Sequence, residues 1–76
     1  MEKTLQEVQA DFDDVLGKLE VMYGDARNGN EPDETELGLT IFLASTIASV
    51  LTTQYGVPID EVTAKIDSYL DYKEEA

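Results

Sequence analysis

The chain has 76 residues, with 17 Asp+Glu against 5 Lys+Arg for a net charge of −12, and it contains no His, Cys or Trp. That length holds one domain burying only about 60% of its unfolded surface, and the missing residue types exclude disulfides, thiolate metal sites and the usual zinc and copper ligand sets. A surface this acidic repels phosphate, which excludes nucleic acid and anionic membranes as direct partners and points to basic, cationic or apolar ones.

The chain opens on Met1-Glu2-Lys3-Thr4, without the charged and apolar regions of a signal peptide, so it reads as an unexported, cytoplasmic protein. A first helix is expected over about 2–27. Leu5, Val8, Phe12, Val15, Leu19, Met22 and Ala26 follow one another at alternating spacings of three and four, and Leu16 and Tyr23 widen the stripe. Glu7, Asp11, Asp13, Asp14, Glu20 and Asp25 are expected on its wet face, as a surface for a basic partner. The heptad spacing also suits a coiled coil, but a seam with alanine and aromatics fits a bundle equally well, and the bundle is preferred.

Asn28-Gly29-Asn30-Glu31-Pro32 breaks the pattern with turn formers. Asp33 and Glu36 have the spacing of a capping box and predict a second helix from 33 to about 55, ended by Gly56. Between Leu37 and Ile59 no residue is charged. A run of that length spans a bilayer, yet it contains seven Ser, Thr and Gln residues and neither flank carries the Lys or Arg that sets an orientation, so a buried central helix is the better reading. On a helical wheel Leu37, Leu39, Ile41, Leu43, Ala44, Ile47, Ala48, Val50, Leu51 and Tyr55 are expected to form the core. Phe42, Ser45, Thr46, Ser49, Thr52 and Thr53 fall on the opposite, charge-free arc. Interfaces lose charge at their centres, and a twofold dimer supplements a marginal core, so this arc is expected to mediate homodimerisation. A third helix is expected over about 58–72, with Ile59, Val62, Ile66, Tyr69 and Leu70 on one stripe and a frayed tail after it. The expected architecture is an all-α three-helix bundle in a single domain, 1–76.

Chemical sites are sparse. Asp25, Asp33 and Glu36 occupy positions 1, 9 and 12 of a twelve-residue loop, as in a calcium-binding EF-hand, but Arg27, Gly29, Asn30 and Pro32 stand where ligands or the turn glycine belong. Capping and turn chemistry account for these residues, and no metal or other cofactor is expected. Asp11, Asp13 and Asp14 read as a solvated acidic run. Glu31 and Glu34 form the E-x-x-E pair of helical nucleotide pyrophosphatases, but the E-x-x-D partner is missing. Without His, Cys, a basic partner for any hydroxyl or a glycine-rich phosphate loop, the chain is not expected to be an enzyme.

In size and charge the chain resembles acyl carrier proteins, but their D-S-L attachment motif is absent, and Ser45 stands in Leu43-Ala44-Ser45-Thr46 within a helix. It is also similar in length, acidity and helical pattern to small inhibitor proteins of phages and mobile elements, including nucleic-acid mimics and blockers of restriction or CRISPR nucleases. That resemblance implies carboxylates along a helix occupying a basic groove, with fast, salt-sensitive binding. The expected function is thus a non-enzymatic, homodimeric interaction module for a basic protein surface. The alternative is a structural or regulatory oligomerisation module with a solubilising acidic surface, and a third reading is calcium binding through the Asp25–Glu36 loop.

Overall fold

The computed structural model of the chain describes residues 3–70, which form three α-helices and no strand: α1, Leu5–Arg27; α2, Glu34–Thr53; and α3, Ile59–Leu70. The expected boundaries agree to within three residues where they are described, while the expected last turn of α3 at 71 and 72 and the tail beyond lie outside the described residues. α1 packs most extensively on α2 and less on α3, and α2 and α3 touch each other least.

Local chemistry fixes the helix ends. Thr4 caps α1: its hydroxyl accepts the Glu7 N–H at 3.2 Å, and the Glu7 carboxylate accepts the Thr4 N–H at 2.8 Å. This reciprocal box satisfies two donors that a helix start otherwise leaves unpaired. At the other end Gly29 adopts φ +91°. Its N–H donates to the Ala26 carbonyl at 3.1 Å, and the Asn30 N–H donates to the Asp25 carbonyl at 2.8 Å. That pair of bonds is a Schellman motif, which needs a left-handed residue and so favours glycine. Gly56, at φ +69°, turns the chain after α2, with the Val57 N–H reaching the Leu51 carbonyl at 3.0 Å. The Pro58 carbonyl then accepts from Glu61 and Val62, which starts α3.

The expected box at the start of α2 does not form. Asp33 is the N-cap, but its side chain makes no capping bond and only its carbonyl participates, accepting from Leu37 at 2.9 Å. Residues 33–36 are all exposed, so water can satisfy the first-turn amides and little is gained by tying down the carboxylates.

The core is built mainly by α1, through Val8, Phe12, Val15, Leu16 and Leu19, with Ala44 and Leu51 from α2 and Val62 from α3. Of the α1 stripe, Val8, Phe12, Val15, Leu16 and Leu19 are buried as the spacing predicts, Met22 and Tyr23 are half-buried, and Leu5 and Ala26 at its ends are exposed. α2, expected at the centre, is the less buried of the two long helices. Leu39, Ile41 and Leu43, expected in the core, are exposed, and Thr40 is buried in their stead with its hydroxyl donating to the Glu36 carbonyl at 2.7 Å. α2 thus turns inward the small Thr40 and Ala44 together with the large Leu51, and burial of Thr40 is tolerated because its hydroxyl meets its one donor requirement within its own helix. On α3, Ile59 is likewise exposed.

Candidate interaction surfaces

The outer face of α2 follows from this packing. With Thr40, Ala44 and Leu51 turned to the core, a rotation of 100° per residue puts Phe42 on the opposite side of the helix. Phe42 is 70% exposed and Leu39 64%, and Leu43, Ser45, Thr46, Ser49 and Thr53 are exposed with them. Five of the six residues expected on this arc therefore lie open, and the sixth, Thr52, is half-buried. Leu39 and Leu43 join them, which makes the open face more apolar than expected.

The threonines of this face are already satisfied. Thr46 donates to the Phe42 carbonyl at 3.0 Å and Thr53 to the Ser49 carbonyl at 2.6 Å, while Thr52 donates to Ser49 at 3.0 Å. Covering the face thus strands none of these hydroxyl protons, which removes the main penalty for burying polar side chains. Bulk is unevenly distributed along it. Leu39, Phe42 and Leu43 occupy the first half of α2, and Thr46, Ser49 and Thr53 the second. By length and composition α2 is apolar enough to cross a membrane, and only 17% of its most apolar window is buried.

Beside this face an open apolar cleft of about 250 Å³ lies where α2 and α3 diverge over α1. Leu16, Leu19, Ile41, Ala44, Ile66 and Leu70 contribute to its walls, and Ile41 and Ser45 connect it to the outer side of α2.

The carboxylates of α1 do not form one continuous face. Asp13 is half-buried and turned towards α3, where it pairs with Lys65 at 3.2 Å, and Glu20 falls on the same flank of the helical wheel. Glu7, Asp11, Asp14 and Asp25 fall on the other flank, with Lys18 among them. Of these, Glu7 is engaged in the capping box and Asp11 pairs with Lys3. The Asp11 carboxylate, first by its hydrogen bond and then by its charge, raises the Lys3 pKa above the ordinary lysine value. Lys3 is also held through its backbone, because the Tyr55 hydroxyl donates to the Lys3 carbonyl and joins the start of α1 to the end of α2.

The loop residues weighed as calcium ligands are not brought together. Asp25 belongs to the last turn of α1, Asp33 caps α2 and Glu36 lies in the first turn of α2. Among the described residues, no three acidic side chains are grouped as a metal ion requires. Sequence reasoning missed Leu39 and Leu43 on the open face and Thr4 as a cap. The T-x-x-E spacing of Thr4 and Glu7 was the available signal for the cap. Compared with protein families, with curated proteins and with solved structures, the chain matches none of them significantly.

Proposed function

We propose that this protein is a non-enzymatic interaction module that self-associates through the charge-free face of α2 and offers its acidic flanks to a basic protein surface. The observation that carries the reading is the exposure of Phe42 and Leu39 on a helix face without charge, in a chain whose net charge is −12. Exposed apolar side chains grouped in this way mark interaction sites, and charge is depleted at interface centres. Two copies meeting elsewhere bring carboxylates together. The basic partner is of the kind blocked by small acidic inhibitors of phages and mobile elements, approached quickly through long-range attraction.

A second reading makes α2 the whole function, an oligomerisation module whose acidity only solvates it. The pairing of Asp11 with Lys3 and of Asp13 with Lys65 favours it, since both shorten the row of free carboxylates. Salt separates the two readings. Self-association through an apolar face persists from low to moderate ionic strength, whereas a complex with a basic partner weakens sharply over that range. Size-exclusion chromatography with light scattering gives a dimer for the wild type and a monomer for Phe42→Glu. A wild type that stays monomeric at high micromolar concentration refutes the proposal.

A further inference from the structure

Building on that self-association, we propose that the occupant of the open α2 face is a second copy of this chain lying antiparallel to the first, related by a twofold axis near Thr46. Three independent features select this orientation over the parallel one.

The first is size. The bulky side chains Leu39, Phe42 and Leu43 lie before Thr46, while the small ones, Ser49 and Thr53, lie after it. Antiparallel pairing about Thr46 sets Leu39 of one copy against Thr53 of the other, and Phe42 and Leu43 against Ser49 and Val50. Leu39 and Leu43 thus meet the small Thr53 and Ser49, and Phe42 meets the smaller, half-buried Val50, so that bulk is shared along the seam as close packing requires. A parallel pair sets Phe42 on Phe42 at one end and leaves the serine and threonine half underfilled.

The second is charge. All the acidic residues of α2 are in its first turn, Glu34 and Glu36, with Glu31 and Asp33 just before them. Parallel pairing gathers both sets at one end, whereas antiparallel pairing about Thr46 separates them to opposite ends of the seam and sets Glu36 against the neutral Gly56 and Glu34 against Pro58 of the other copy. The third is the helix dipole, whose ends oppose like with like in a parallel pair and like with unlike in an antiparallel one.

The absence of native cysteine makes a direct test simple. Single cysteines are placed along the seam and cross-linked by mild oxidation, which succeeds only where Cα atoms approach within about 7 Å. Thr46→Cys is expected to cross-link with itself. Thr53→Cys is expected not to, since its two copies lie about 20 Å apart at 1.5 Å per residue. Mixed Leu39→Cys and Thr53→Cys proteins are expected to cross-link to each other, with exposed Gln9→Cys giving the collisional background. Circular dichroism checks that each variant is folded. If Leu39→Cys and Thr53→Cys each cross-link with themselves, above that background, the orientation is overturned while self-association stands. If light scattering finds only monomer and every variant stays at background, both fall. Partition of the chain into phosphatidylcholine vesicles with loss of all cross-links overturns the proposal in favour of a membrane occupant.

Discussion

Phe12 and Phe42 are the two phenylalanines of this chain, and their surroundings forecast opposite outcomes for the same truncation. Phe12 is 2% exposed, between α1 neighbours and the core residues of α2 and α3. Phe12→Ala should cost about 3–5 kcal/mol, a large share of the roughly 5–15 kcal/mol that holds a small domain together. Phe42→Ala should leave the isolated protomer within about 0.5 kcal/mol of wild type, because the ring touches little of its own chain. Its cost should fall on the proposed self-association instead. A ring of about 200 Å² that is 70% exposed leaves about 140 Å² uncovered, and covering half of that contributes about 1.7 kcal/mol. Two rings per dimer give roughly 3.5 kcal/mol, or a few-hundredfold in Kd. Urea unfolding followed by circular dichroism at two protein concentrations reads both effects. For the wild type, a roughly hundredfold rise in concentration above Kd should add about 1.4 kcal/mol per protomer, since only the folded state associates. For Phe42→Ala the midpoint should not move until concentration reaches its weakened Kd. A wild-type midpoint independent of concentration, or a Phe42→Ala loss as large as that of Phe12→Ala, refutes the reasoning.

Three further outcomes follow from the helix ends and turns. Thr4→Ala should lower stability by about 1 kcal/mol in thermal unfolding, whereas Asp33→Ala, which removes no capping bond, should be nearly silent; equal losses contradict the different geometry of the two caps. Gly56→Ala should cost about 1–2 kcal/mol because φ is +69° there, while helical Gly17→Ala, whose new methyl meets nothing within 4 Å, should stabilise by up to about 1 kcal/mol. The Lys3 ammonium should titrate above the usual lysine range by NMR and fall back in Asp11→Asn. Because the folded value is raised, the contribution of this pair is complete below the unfolded lysine pKa and disappears as pH rises through the folded one. An unchanged Lys3 titration in Asp11→Asn contradicts the pairing.

The legibility of the sequence differed between the helices for a physical reason. α1 confines its apolar residues to one stripe, so periodicity alone places Val8, Phe12, Val15 and Leu19 in the core. α2 carries Leu, Ile and Phe on all sides, and no stripe of its own says which side faces inward. Orientation was decided by packing against the other helices, which buries Thr40, Ala44 and Leu51 and leaves Leu39 and Leu43 exposed. That choice depends on the shape of another helix and is not encoded locally. The open face was legible by contrast, since Phe42, Ser45, Thr46 and Ser49 stand out as uncharged in an acidic chain. The pairing of Asp13 with Lys65 was hidden because it links residues far apart in sequence.

The arrangement of α3 governs how the molecule opens. α1 and α2 form a helical hairpin, while α3 rests mainly on α1 and contributes Val62 as its one fully buried side chain. Elements with few buried contacts detach at lower free energy than the whole fold. α3 should therefore exchange its amide hydrogens before the hairpin does. Its departure removes one wall of the apolar cleft and bares Leu16 and Leu19, while the Tyr55 bond to Lys3, entirely within the hairpin, stays in place. α3 thus covers part of the core by its weakest packing, and a two-helix form with Leu16 and Leu19 bared is the first local opening that hydrogen exchange should detect.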